Sequence, residues 1–129
     1  MRYQITHIPE ASIILIKVSG ELDMPTMKEA IEAAGPVILE HACNNILGDF
    51  REAEVPLTIV ELIDLYQHWI KTLKTNQISR FQAKRAMLLD ADQPEVEKYR
   101  FFETFSTNRS SRVRLFFDQK EAEQWLKGE

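Results

Sequence analysis

A short apolar strand that leads through a charged loop into the longest amphipathic run of the chain, residues 44–73, constrains the fold more than any other feature. The strand covers residues 45–49 and the helix residues 58–73, a pairing that reads as one arm of a βαβ crossover. The helix start is closely specified. The Thr58 hydroxyl is placed to accept from the Glu61 amide while the Glu61 carboxylate reaches back to the Thr58 amide, and Leu57 and Leu62 have the spacing of a hydrophobic staple. Ile59, Leu62, Ile63, Tyr66, Ile70 and Leu73 then recur on one face, with Glu61, Asp64, His68 and Lys71 opposite. Leu65 and Trp69 widen that stripe beyond what a helix lying on a sheet needs. Either a neighbouring helix covers them, as consecutive βαβ units favour, or they anchor a homodimer.

At 129 residues the chain fits one domain, 1–129, able to bury a core without staples. No apolar run approaches the ~20 residues of a membrane span, and the polar, alternating start of the sequence does not read as a secretory or transit signal. A lone cysteine, Cys43, allows no internal disulfide, which agrees with a reducing compartment and a cytoplasmic location. The net charge of −4 opposes general nucleic-acid binding. Basic residues do gather, at Lys71, Lys74, Arg80, Lys84 and Arg85 and again at Arg109, Arg112 and Arg114, but without interleaved aromatics they read as solvated helix ends, so no nucleic-acid partner is expected.

In chain order, residues 2–8 and 12–18 form an antiparallel hairpin about Pro9-Glu10-Ala11, the apolar run 13–16 suiting a strand covered on both faces. Gly20 ends this strand. Thr26 and Glu29 have capping-box spacing for a helix through Met27, Ala30, Ile31 and Ala34, which Gly35-Pro36 stops or kinks. Beyond the central unit come a strand at 83–89, a turn at 90–94 with Asp92 and Glu95 again at capping-box spacing, and an aromatic helix to Asn108. A strand at 112–117 and a helix capped by Asp118 and closed by Gly128 complete the chain. Strands and helices alternate after the hairpin. The fold class is α/β: a mostly parallel sheet of about five strands, the first antiparallel, with about four helices.

This order, with Ile46-Leu-Gly-Asp-Phe-Arg51, Phe102-Glu-Thr-Phe105, Asn108-Arg109, Val113-Arg-Leu-Phe-Phe-Asp118 and Glu121-Ala-Glu-Gln-Trp-Leu126, resembles the SpoIIAA-like branch of the STAS domains over nearly the whole chain. The resemblance implies a regulatory, protein-binding domain. In such anti-sigma-factor antagonists a serine at the amino end of the central helix is phosphorylated by a partner kinase. Here the matching segment reads Ala53-Glu-Val-Pro-Leu-Thr58, and its only hydroxyl, Thr58, is already assigned to the cap. A phosphate there would meet Glu54 and Glu61. The same broad fold is similar to the lipid carriers of the CRAL-TRIO type, which implies a small apolar ligand as the alternative.

No residue set forms a complete catalytic constellation. His41 and Cys43 are too few for a metal site, and Cys43 has no evident base. The carboxyl ends of parallel strands are where open α/β sheets bind ligands, which makes Asp49, Arg51, Glu54, Thr58, Asp90 and Asp118 the candidate partner or ligand edge. Asp118 and Thr58 already have capping roles. The expectation is a non-enzymatic binding module with no cofactor and no metal, against a minor reading as a small enzyme using those carboxylates. The aromatics Tyr99, Phe101, Phe102 and Phe105 read as core before pocket lining.

Overall fold

The computed structural model describes residues 2–128. Strands β1 (Tyr3–Ile8) and β2 (Ile13–Glu21) form the antiparallel hairpin around a short 3₁₀ turn, and α1 (Met24–His41), β3 (Asn45–Glu54), α2 (Ile59–Thr75), β4 (Lys84–Leu88), α3 (Val96–Thr107), β5 (Arg112–Phe116) and α4 (Gln119–Lys127) follow. The sheet order is β1-β2-β3-β4-β5, with every pair after the first parallel. Because each crossover steps the same way and crossovers are right-handed, α1, α2 and α3 must share one sheet face. Only α4 covers the other. Two cores result: a large one under α1 to α3, built on Ile14, Ile46, Phe50, Trp69 and Met87, and a smaller one in which Ile13, Leu47, Leu88 and Phe116 meet Ala122 and Leu126 of α4.

Several boundaries differ from the sequence expectation. β2 does not end at Gly20 but bulges between Lys17 and Ser19 and continues to Glu21, opposite Glu54 of β3. β3 is correspondingly ten residues long and absorbs most of the expected charged loop. Its inward positions Phe50 and Ala53 are buried, which is what keeps the charged stretch extended. α1 begins earlier than the Thr26-Glu29 box implies: Asp23 is the cap, accepting from the Thr26 amide at 2.9 Å, and Pro25 sits in the first turn, where its missing N–H costs nothing. Glu29 is free to accept from the Tyr3 hydroxyl instead.

Gly35-Pro36 neither stops nor ends α1. Ala34 and Ile38 are both buried on the sheet side and hold the two halves of the helix in line across the hydrogen bond that Pro36 cannot make. Gly35 lies against the end of α2, so close that a Cβ there would collide with the Asn76 side chain and crowd the Thr72 methyl. The outer edge of the same contact carries an ion pair, Lys28 to Asp64 at 3.0 Å.

Candidate functional site

The carboxyl edge of the sheet separates into two neighbourhoods. The first is the β3–α2 connection. Past Leu88, β4 has ended, and the far half of β3 has a strand neighbour only on the β2 side. Its other side is stitched by side chains from the turn before α3: the Gln93 amide donates to the carbonyls of Phe50 (3.1 Å) and Ala53 (3.4 Å), and the Glu95 carboxylate accepts from the Val55 amide at 2.9 Å. The expected Asp92-Glu95 capping box is therefore absent. Glu95 occupies the cap position of α3 with its carboxylate directed to β3, and Asp92 is exposed. Pinned in this way, the connection delivers Leu57 into the core and Thr58 to the start of α2.

At that start the capping box is formed as the sequence implies: the Glu61 amide donates to Thr58 Oγ1 at 3.2 Å and the Thr58 amide to Glu61 Oε1 at 2.9 Å. Immediately after it the first helical turn presents Ile59 and Val60 to solvent, 40% and 76% exposed, as adjacent β-branched apolar residues. Glu54 is exposed beside them, and an open polar cleft of about 530 Å³ lined by Arg2, Glu21, Asp23 and Glu61 separates this connection from the one between β2 and α1.

The second neighbourhood faces α4. Asp49 points to that side of β3 and is held by Arg51 two residues on: Nε donates to Oδ1 at 3.0 Å, a terminal nitrogen to Oδ2 at 2.9 Å, and the Arg51 amide to Oδ1 at 3.1 Å. Burial raises the Asp49 pKa, but the guanidinium and amide hydrogen bonds outweigh it, so the carboxyl is held below its ordinary value. Arg51 reaches on to Gln119 of α4 at 3.3 Å. Asp118 caps α4, and Asp90 is exposed with its amide bonded to Gln93 Oε1. Asp49 is thus a buried, saturated carboxylate.

No protein-family model matches the chain, and no curated protein matches its sequence significantly. Solved structures do. The unphosphorylated form of the anti-sigma factor antagonist SpoIIAA superposes with a TM-score of 0.57 at 16% identity, over 98% of this chain and 99% of that one. The chain has the SpoIIAA fold. A Bacillus SpoIIAA in the phosphorylated form aligns at 17% identity and a TM-score of 0.48, over 93% and 95% of the two chains.

Within the SpoIIAA fold, the six edge residues singled out from the sequence do not form one site. Glu54 and Thr58 belong to the α2 connection and Asp49, Arg51 and Asp118 to the α4 side. Of the two alternatives for Leu65 and Trp69, the structure holds cover by a neighbouring helix and not an exposed interface. They are 4% and 3% exposed, closed in by α1 and the sheet, with Trp69 facing Ile16, Met27 and Ala30, so the sequence argument for a homodimer through this edge falls away. Missed were Gln93 and the part that Glu95 plays outside its own helix, since their partners lie about forty residues away in sequence, and the exposure of Ile59 and Val60. Only the capping box hinted at the latter, since the first turn of a helix projects from the layer it packs on.

The other candidates have structural places. Cys43 is buried, its thiol donating to the Ser12 carbonyl at 3.3 Å. His41 stacks on His7 with ring centroids 4.0 Å apart. Among the described residues no group of three or more His, Cys, Asp or Glu is placed to hold a metal ion. The two small apolar spaces between the helices and the sheet amount to about 30 Å³ and about 20 Å³, against the several hundred Å³ that a lipid-sized ligand fills. No helix among the described residues is long and apolar enough to cross a membrane.

Proposed function

We propose that this chain is a non-enzymatic regulatory domain of the STAS type, cytoplasmic in location, that acts by docking a protein partner on the amino-terminal end of α2. The supporting observation is the surface there: Val60 and Ile59 stand exposed on a connection pinned by Gln93 and Glu95, in a fold shared nearly end to end with an anti-sigma factor antagonist. Exposed apolar side chains on a rigid support are what an interface core requires. Their rim, Glu21, Glu54 and Glu61, is acidic, so the partner surface should combine an apolar patch with basic residues. Docking here works without a phosphate on Thr58. Its hydroxyl is engaged by the Glu61 amide, and a dianion at that oxygen would face the Glu61 carboxylate already bound to the Thr58 amide.

The test pairs capture with turnover. Val60 is exposed, so Val60→Lys should leave thermal stability within about 0.5 kcal/mol of wild type. The expected result is a protein captured from source lysate by wild type and by Asp49→Asn, but lost with Val60→Lys, and no activity in a broad hydrolase and transferase screen. Capture that survives Val60→Lys would move the docking face elsewhere. Turnover abolished by Asp49→Asn or Cys43→Ser would replace the proposal with the enzyme reading.

A further inference from the structure

The sheet face under α2 and α3 contains a cation with no counter-charge. Arg85 alternates on β4 towards the large core and is half-buried against it. Its guanidinium carbon lies 5.2 Å from the Trp69 ring centroid and 5.4 Å from that of Phe102, and among the described residues it forms no ion pair. The two rings offset part of the cost of burial. They accept none of its N–H groups conventionally, and a half-buried cation without a counter-charge favours an anion beside it. Burial draws the Arg85 pKa down to about 10, which still leaves it charged at neutral pH.

Arg85 lines two small cavities that share Met27, Ile31 and Phe50, one of about 30 Å³ and one of about 20 Å³. Each exceeds the ~15 Å³ that one water-sized occupant requires. The larger is also lined by Tyr99, a residue 8% exposed whose hydroxyl is buried and has no hydrogen-bond partner. Burial, and secondarily the charge of Glu95, hold that phenol well above its ordinary pKa, so it is a donor throughout the working pH range. Lys98 lines the same space. The carboxylate whose charge reaches Tyr99, Glu95, is bound to the Val55 amide. The polar side chains at this cavity therefore offer donors and positive charge, in a space otherwise walled by apolar groups.

We propose that this cavity is a binding site for a compact monovalent anion of halide or nitrate size, held by the guanidinium of Arg85 and the hydroxyl of Tyr99 between the sheet, α2 and α3. An anion gives the orphaned Tyr99 hydroxyl an acceptor and Arg85 a counter-charge at once. The limited volume excludes sulfate, phosphate and longer carboxylates, so the selectivity is by size as well as charge.

The probes are sodium nitrate and sodium bromide, each read on wild type and on the site variants at matched ionic strength. Thermal unfolding of wild type should shift upwards with nitrate or bromide concentration relative to the site variants in the same salt, which cancels the general effect of each anion on folding, and crystals grown in bromide should show an anomalous peak between Arg85 and Tyr99. Tyr99→Phe, which keeps the ring against Phe50, should weaken nitrate binding about tenfold. Arg85→Met, a side chain of similar length without charge, should abolish the nitrate response while the protein still unfolds cooperatively; where that variant does not fold, the Tyr99→Phe comparison decides. A nitrate response unchanged in Tyr99→Phe or retained in Arg85→Met, or a cavity holding only water in bromide, would each overturn the proposal.

Discussion

Asp49 and Arg51 show how a residue that looks functional in a sequence is consumed by structure. A carboxylate at the carboxyl end of a central parallel strand is where ligands are usually met, but Asp49 is buried and its oxygens take three donors from Arg51 alone. Removing the charge leaves the exposed Arg51 guanidinium and the Arg51 amide with a weaker acceptor, so Asp49→Asn should cost about 1–3 kcal/mol at neutral pH. The sign with pH follows from the depressed carboxyl. A group whose pKa is lower in the folded state contributes stability above its unfolded value of about 3.9 and loses it as pH falls through the folded value. Denaturant unfolding at pH 7 should therefore separate wild type from Asp49→Asn, and below about pH 4 the two should converge. A gap that persists in acid would mean that shape, not charge, holds the pair.

Element by element, what was legible was local. The α2 cap, Thr58 with Glu61, and its staple, Leu57 with Leu62, depend on residues three to five apart, and all four sit as their spacing implies. What failed was decided by partners distant in sequence. β3 outran its expected end because Gln93 satisfies its open side, and the Asp92-Glu95 box dissolved because Val55 takes the Glu95 carboxylate. Gly35 belongs to the same class. On propensity alone, Gly35→Ala should stabilise α1 by up to about 1 kcal/mol. The new methyl would instead displace the Asn76 side chain, which donates to the Thr72 carbonyl at 2.9 Å and closes α2, and would press on the Thr72 methyl. The collision should win, with a net loss of about 1–2 kcal/mol, and Asn76→Gly on the same background should recover part of it. Thermal melts of the single and double variants measure the balance; an additive pair would show that the two helices do not meet there.

At the scale of the whole molecule, alternation of strands and helices was enough to give the parallel sheet, and the handedness of crossovers then forces three helices onto one face. The width of an apolar stripe, by contrast, cannot say which neighbour covers it. Trp69 belongs to the layer between α1, α2 and the sheet, with Arg85 against its ring. An interface anchor and a core anchor have the same sequence signature, and they differ in what a substitution does. At a dimer interface, Trp69→Glu would yield a folded monomer. In the core it places an unpaired carboxylate beside Ile16, Met27 and Ala30, and the lost ring alone accounts for about 3–5 kcal/mol. Adding the desolvation of a charge exceeds the 5–15 kcal/mol margin of an ordinary domain at its lower end. Arg85, whose guanidinium lies against the Trp69 ring, could take that carboxylate, and a pair formed there at neutral pH would spare part of the loss. Trp69→Phe, which keeps a ring for Arg85, should lose about 1–3 kcal/mol and fold normally. Circular dichroism with sedimentation should find Trp69→Glu unfolded or strongly destabilised and Trp69→Phe at the same oligomeric state as wild type. A Trp69→Glu chain that is folded, as stable as wild type and smaller in sedimentation would return Trp69 to the surface of a dimer.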